Sequence, residues 1–202
     1  TGSVNGHGGK FIIKNSNFYG GNAEDQLNIV NAEINLSNLN FINAKSDALD
    51  CDYCNGFISN LKFDNIGGDA LDLSGSNLKI SDILINLAGD KGLSIGEASR
   101  VKFKNILIKN TSTGVAVKDT SKVQIENINM KDILNDAYMT YIKKPFFKGD
   151  TTLKVINSTE LTNIKGNLCT RVENTYAEIN GKVCKISNLN VKALYQSGSM
   201  KK

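Results

Sequence analysis

The sequence predicts an all-β fold, a β-solenoid in which short strands stack coil upon coil. The first observation is a polar residue that returns every 22 or 23 residues. The second is that each repeat alternates apolar and polar residues, as strands do, and contains no long helical pattern. A fixed period of this length indicates units that cannot bury their apolar faces alone. The repeated polar residues are Asn15, Asn38, Asn60, Asp82, Asn105 and Asn127.

The repeated Asn has a physical reason to stand at a corner between strands. Asn tolerates a left-handed backbone conformation better than most residues. Stacked copies can also pair their side-chain amides, so the sequence predicts an asparagine ladder along the solenoid.

The repeat length predicts the shape of the coil. About 22 residues match the perimeter of a three-sided, right-handed parallel β-helix. Of the 202 residues, 1–195 then form a single domain of about nine coils, with the first coil at Gly9–Gly21. At about 4.8 Å per coil, the rod would be roughly 40 Å long. We expect a loop insertion at 138–150, coils that resume at Thr152 and near Lys182, and a disordered tail at 196–202.

Composition excludes some functions. The formal net charge of +4 is small and the lysines are scattered along the chain, so a nucleic-acid partner is not predicted. No apolar stretch of about 18 residues is present, so no membrane span is predicted. No signal peptide is visible, and the chain is interpreted as a mature or excised fragment whose partners could include neighbouring domains of a larger protein.

Four cysteines are interpreted as structural. Cys51 and Cys54 have zinc-type spacing, but no second such pair follows, so a zinc site is disfavoured. Cys51 falls where other coils carry Leu or Ile, and Cys184 falls where a coil carries Val123. We therefore expect buried core thiols, which leave the compartment open.

An acidic phrase repeats between residues 47 and 97. We align the coils on the apolar residue that opens each strand, namely Leu27, Leu49, Leu71, Leu93 and Val115. Two residues earlier stand Asp25, Asp47 and Asp69, and then Asp90 if Lys91 is an insertion. The residue that follows is outward-facing and is Asn28, Asp50, Asp72, Ser94 and Ala116 in turn. Asp50 and Asp72 should lie side by side, with Asp52 on the same face.

Such an arrangement is costly, because like charges on adjacent strands destabilise a sheet. Three gains could offset it. Asp47, Asp50, Asp69 and Asp72 could hold a cation such as calcium. The carboxyls could share protons and act as general acids. Nearby Lys91, Lys118, Lys143 and Lys144 could neutralise them. An alternative for Asp47 and Asp69 is that they bind backbone amides at a corner.

Lysines follow on the same face. Lys91 lies near Glu97, and Lys118 precedes Asp119. A lysine beside carboxylates could act as a general base or bind an anionic sugar. The alternative is a row of surface ion pairs, each of which contributes little.

The chain resembles the right-handed parallel β-helix superfamily, the pectate-lyase-like fold, and in particular bacterial β-helix repeat domains. The residues that carry the resemblance lie in the phrases 69–76, 90–97 and 118–121. The resemblance implies a protein that acts on or binds polysaccharides, and an extracellular or cell-surface location. The active-site patterns of the polygalacturonase-like hydrolases and pectate lyases do not match. His7 is therefore interpreted as a loop residue, and Arg100 and Arg171 lie outside the acidic stretch.

The leading hypothesis is a domain that binds a polysaccharide or oligosaccharide along its acidic face. The predicted ligand contacts are Asp50, Asp52, Asp72, Lys118, Lys143 and Lys144. The enzymatic alternative is a polysaccharide lyase or glycoside hydrolase with Asp50, Asp72, Lys91 and Glu97 as catalytic residues. A third hypothesis is a non-catalytic structural or assembly module of a larger protein.

Overall fold

A computed structural model describes residues 2–196, which form seventeen strands and one short helix. The strands are β1 Gly2–His7, β2 Lys10–Tyr19, β3 Asp25–Val30, β4 Glu33–Ile42, β5 Asp47–Asp52, β6 Asn55–Ile66, β7 Leu71–Ser74, β8 Asn77–Ala88, β9 Lys91–Gly96, β10 Arg100–Thr111, β11 Thr113–Lys118, β12 Lys122–Ile133, β13 Tyr138–Tyr141, β14 Thr151–Ile164, β15 Cys169–Arg171, β16 Thr175–Ile179 and β17 Lys182–Val183; the helix α1 is Val191–Gln196. None of the described helices is long and apolar enough to cross a membrane.

The strands stack in two sheets, as a solenoid requires. The odd strands β1 to β15 form an eight-stranded sheet, and β17 with the even strands β16 to β2 forms a nine-stranded sheet. Every pairing between successive coils is parallel. The prediction of an all-β parallel β-helix is confirmed. The described residues make about eight coils, where the sequence predicted about nine.

Each coil turns at three corners whose residues have positive φ angles. One corner lies within the long even strands and carries Asn15, Asn38, Asn60, Asp82, Asn105, Asn127 and Asn157, with φ between 53° and 62°. The side-chain amide of Asn60 donates to Asn38 Oδ1 over 2.6 Å, and that of Asn38 donates to Asn15 over 2.9 Å. The predicted asparagine ladder is therefore present. It divides each even strand between two faces, so the coil has three sides.

The interior is a continuous apolar core of stacked like residues. Phe18, Phe41 and Phe63 stack with ring centroids 4.8 and 5.0 Å apart. Cys51 is fully buried between its registered neighbours Ile29 and Leu73, as its position in the repeat predicted.

The chain departs from the repeat after β16. Lys182–Val183 pairs antiparallel with β16, because Asn180 and Gly181, both at positive φ, reverse the chain. The expectation of a further coil near Lys182 is therefore wrong. Cys184 is not a core thiol: it forms a disulfide with Cys169.

Two further expectations need correction. His7 is exposed but ends strand β1, opposite Val30, and is not in a loop. The interruption expected at 138–150 begins later, because Tyr138–Tyr141 still forms β13, and residues 142–150 contain no strand. Of the predicted disordered tail, Gln196 ends α1, and residues 197–202 lie outside the described part of the chain.

The ladder generates a prediction about stability. Asn60→Ala removes the hydrogen bond to Asn38 and leaves alanine, which has no side-chain amide, at a φ of 54°. We expect the free energy of unfolding to fall by about 2 kcal/mol, from strain and the lost hydrogen bond together. Urea titration measures it. Asn77→Ala, at an exposed strand position of β8, is the control; equal losses in the two variants would contradict the assigned role of the corner.

Candidate acidic site

The outward surface of the eight-stranded sheet carries the predicted site. We call the part formed by Asn28, Asp50, Asp52, Asp72 and Ser74 the acidic strip. Asn28 pairs with Asp50, and Asp50 with Asp72, in the sheet register; Asp52 pairs with Ser74. All five residues are half-buried. The predicted side-by-side placement of Asp50 and Asp72 is thus what the structure contains.

Beyond the acidic strip, the same surface is covered by the C-terminal segment. Ala116, Met139 and Tyr141 are buried, and Leu194 and Tyr195 of α1 pack against them. The expectation that the outward residues meet solvent is therefore wrong for Ser94 in β9 and Ala116 in β11, both of which are fully buried. The sequence does indicate that this part of the surface is covered, since the outward row changes from Asn and Asp to Ser94, Ala116 and Met139.

Asp47 and Asp69 each bind the backbone of the next coil. Asp47 Oδ1 accepts the Asp69 amide over 2.8 Å, and Asp69 Oδ1 accepts the Lys91 amide over 2.9 Å. Lys91, not Asp90, occupies the row of Asp47 and Asp69, as its pairing with Thr113 also indicates. The alignment that treated Lys91 as an insertion is therefore wrong. Asp90 lies one residue earlier and turns its carboxyl toward the Lys91 ammonium.

Lys91 is held in a buried ion-pair cluster. Its Nζ lies 2.5 Å from Asp90 Oδ2 and 3.2 Å from Asp69 Oδ1, and the side chain is 2% exposed. Burial alone would lower the pKa of Lys91, but Asp69 and Asp90 outweigh it and hold this pKa above its ordinary value. A lysine that keeps its proton cannot act as a general base. The geometry therefore argues against Lys91 as the base of a lyase.

Asp50 differs from the corner carboxyls. Burial, followed by the charges of Asp72 and Asp52, raises the pKa of Asp50 to about 8. Its Oδ2 accepts a hydrogen bond from the Asn28 side-chain amide over 3.0 Å. Burial and the charges of Asp72 and Glu97 also raise the pKa of Asp52, opposed by Lys144. At neutral pH, Asp50 is therefore mostly a protonated carboxyl that can donate a hydrogen bond.

The remaining predicted lysines border the acidic strip in different ways. Lys118 is buried and donates to Ser94 Oγ over 2.8 Å, so the interpretation of Lys118 and Asp119 as a surface ion pair is wrong. Asp119 instead accepts the backbone amides of Lys143 and Lys144, at 2.7 and 2.8 Å.

The loop after β13 is thereby fixed beside the strip. The Lys144 ammonium forms an ion pair with Glu97. Lys143 Nζ lies 4.4 Å from the ring centroid of Tyr195. The Glu97–Lys144 ion pair and the Lys143–Tyr195 contact border one end of the acidic strip.

Three of the four residues predicted to hold a metal converge. One carboxylate oxygen from each of Asp47, Asp69 and Asp72 lies within 4.8 Å of the others. Oxygen donors suit calcium. Yet Asp47 and Asp69 each already accept a backbone amide, and the Lys91 ammonium contacts Asp69. A cation here would compete with that ammonium, so calcium stays a prediction of the sequence.

Sequence reasoning missed Tyr53. It follows Asp52 at the corner, and the residue is 55% exposed. Its ring covers Gly75 so closely that a Cβ there would lie 2.5 Å from ring atoms. Its φ is 54°, which is unfavourable for a bulky residue, while the preceding and following coils carry Asn31 and Gly75 at this corner. The sequence could have identified Tyr53, because it places a bulky Tyr at a corner where the adjacent coils carry Asn or Gly.

The comparison with protein families identifies the class. Residues 26–175 match the model described as a right-handed β-helix region, so the chain belongs to this family. Searches of curated proteins and of solved structures found no match at the significance applied. The β-helix fold is compatible with a carbohydrate-related function.

The raised pKa of Asp50 generates a prediction about pH. Since this pKa is about 8 in the folded chain and ordinarily 3.8 for an exposed aspartate, the folded state binds the extra proton between these limits. Stability is then highest at the acidic end of this window and falls as the pH rises through about 8. We expect the Tm to fall between pH 5 and pH 8.5, and Asp50→Asn to flatten that fall. Asp64→Asn, on another face, is the control, and an unchanged slope in Asp50→Asn would contradict the assignment.

Proposed function

We propose that the chain binds a polysaccharide or oligosaccharide along the acidic strip, with Tyr53 as an aromatic platform at one side. The observation that carries the proposal is Tyr53, exposed at an unfavourable backbone conformation beside half-buried hydrogen-bonding groups. Backbone strain of this kind is retained mainly where a residue serves a function. An amphipathic ring contributes contact area at low entropic cost, which is why Tyr is enriched at binding surfaces.

The chemistry of the acidic strip favours a glycan with many hydroxyl groups. Asp50 offers a hydroxyl donor, and Asn28 offers its side-chain oxygen, since its NH2 group already donates to Asp25 and Asp50. Asp52 with Ser74 offers acceptors on the adjacent row. Groups on successive strands recur about every 4.8 Å, which suits an extended polymer. The carboxylates disfavour an anionic glycan, so the proposed ligand is neutral, and calcium would be needed only for an acidic one.

The site has a defined end. Glu97 and Lys144 shift the pKa of Asp52 in opposite directions, which places both of them close to the strip. Past them, α1 covers the sheet. The proposed glycan therefore occupies the surface of β3, β5 and β7. Lys118 does not contact the glycan in this proposal: its ammonium donates to Ser94 and interacts with the charge of Asp72.

The variant Tyr53→Asn tests this function. Asn matches Asn31 at the same corner, so we expect equal or higher stability together with about tenfold weaker glycan binding, a loss of about 1.4 kcal/mol. Isothermal titration against neutral and acidic polysaccharides, with and without calcium, measures the affinity.

Leu87→Asn is the matched control. Leu87 is also exposed at positive φ, between Asn65 and Asn110 of another corner. It should gain stability and keep full binding. Absence of binding to every glycan, or equal binding by the unmutated chain and Tyr53→Asn, would contradict the proposal.

A second candidate function is glycoside hydrolysis. Its specific support is that the pKa of Asp50, at about 8, would keep a general acid protonated at neutral pH beside Asp72. Carboxyls on adjacent strands would suit a retaining mechanism, which needs a separation of about 5 Å. Assay of new reducing ends with the same glycans separates the two functions: turnover that Asp50→Asn abolishes without loss of binding supports hydrolysis, and lack of product from the unmutated chain excludes it for that glycan.

A further inference from the structure

A second surface, on a different face of the coil, collects basic side chains. It is the outward side of the even strands between their first residue and the asparagine corner. Four neighbouring strands, β8, β10, β12 and β14, contribute exposed cations. We call this set the basic patch; it consists of Lys79, Arg100, Lys102, Lys104, Lys122 and Lys154.

The register sets like charges directly opposite one another. Arg100 pairs with Lys122, and Lys79 pairs with Lys102. Like charges in this position destabilise a sheet. A bound polyanion would relieve the repulsion.

Acidic neighbours neutralise only the border of the patch. Lys104 Nζ lies 3.7 Å from Glu126 Oε1, and Lys154 Nζ lies 3.6 Å from Glu178 Oε1. Within residues 2–196, no ion pair includes the four central cations Lys79, Arg100, Lys102 and Lys122. The centre of the patch is therefore uncompensated.

The shape of the surface suits an extended ligand. Two contiguous open depressions cross it, one beside Phe57 and Lys104, the other between Arg100 and Lys154. Both run over successive strands, so a chain that crosses the strands meets a cation on each coil. The spacing of about 4.8 Å between strands sets the interval.

We infer that the basic patch binds a linear anionic polysaccharide, one that bears sulfate or carboxylate groups. Charge complementarity identifies the ligand as a polyanion, since several cations on a flat face attract repeated anions. Single-stranded nucleic acid fits less well, because it needs aromatic rings on which bases stack. Phe57 lies at the edge, and Lys79 Nζ already stands 5.7 Å from its ring centroid.

This surface is independent of the acidic strip. Arg100, Lys102 and Lys104 alternate along the single strand β10, while Lys79, Lys122 and Lys154 come from three other strands. The solenoid register brings the four strands, and so the six cations, together.

The test uses three polymers with one backbone: dextran, carboxymethyl dextran and dextran sulfate. Affinity electrophoresis or isothermal titration at several salt concentrations gives the Kd. We expect the unmutated chain to bind the two charged polymers and not dextran, with affinity that falls steeply as salt rises, because bound counterions are released. The variant Lys79→Gln, Arg100→Gln, Lys102→Gln, Lys122→Gln should bind at least tenfold more weakly.

The matched control removes the same number of charges elsewhere: Lys14→Gln, Lys62→Gln, Lys131→Gln, Lys165→Gln, all at exposed positions. It should keep its Kd within twofold, and Tyr53→Asn should bind the polyanions unchanged. Equal losses in the two quadruple variants would show that net charge alone acts and would overturn the inference. So would binding of a mixed-sequence single-stranded oligonucleotide as tight as that of dextran sulfate, or failure to bind either charged dextran.

Discussion

The structure depends on one constraint, the corner residue that turns each coil in a left-handed backbone conformation. Asn38 and Asn60, with φ of 56° and 54°, turn the chain at little steric cost and bond to each other across coils. Because the corners from Asn15 to Asn127 recur every 22 or 23 residues, these coils have nearly the same length and keep their register. Register then decides which side chains stack, so Phe41 meets Phe63 in the core and Asp50 meets Asp72 outside.

The same stacking gives the three sides of the coil different chemistry. One side collects carboxyls, and their proximity and burial hold the pKa of Asp50 near 8. Another collects uncompensated cations, such as Lys102 beside Lys79. Each arrangement costs stability in a sheet. The inner positions contribute the apolar burial that offsets these costs, which leaves the outward positions open to functions unrelated to folding.

Features encoded within one repeat could be predicted from the sequence. The corner Asn residues, buried Cys51 and the neighbouring Asp50 and Asp72 all follow from a period and an alternation. Features that depend on contacts between side chains of different coils could not. Lys91 occupies the row of Asp69 at the regular interval of 22 residues, and the alignment failed because it treated Lys91 as an insertion in order to continue the acidic row at Asp90. The ion pairs of Lys91 with Asp69 and Asp90 do not follow from the period.

The position of the C-terminal segment could not be predicted from the sequence either. Its contacts with Ala116 and Met139, and the Cys169–Cys184 disulfide, join aperiodic residues to the stack. Their positions follow from tertiary packing, which a local pattern does not encode. Tyr53, in contrast, was visible in the sequence as a bulky residue at a position where Asn31 and Gly75 stand in adjacent coils.

The central claim is that coil register places the Asp50 carboxyl against Asp72 in a half-buried site. Carboxyl carbon NMR of a chain labelled at aspartate, with Asp50→Asn used to assign the signal, measures its titration directly. We expect a midpoint near pH 8, which Asp72→Asn shifts toward the ordinary range because that variant removes the neighbouring charge. A midpoint near the ordinary aspartate value of 3.8 in both chains would contradict this placement.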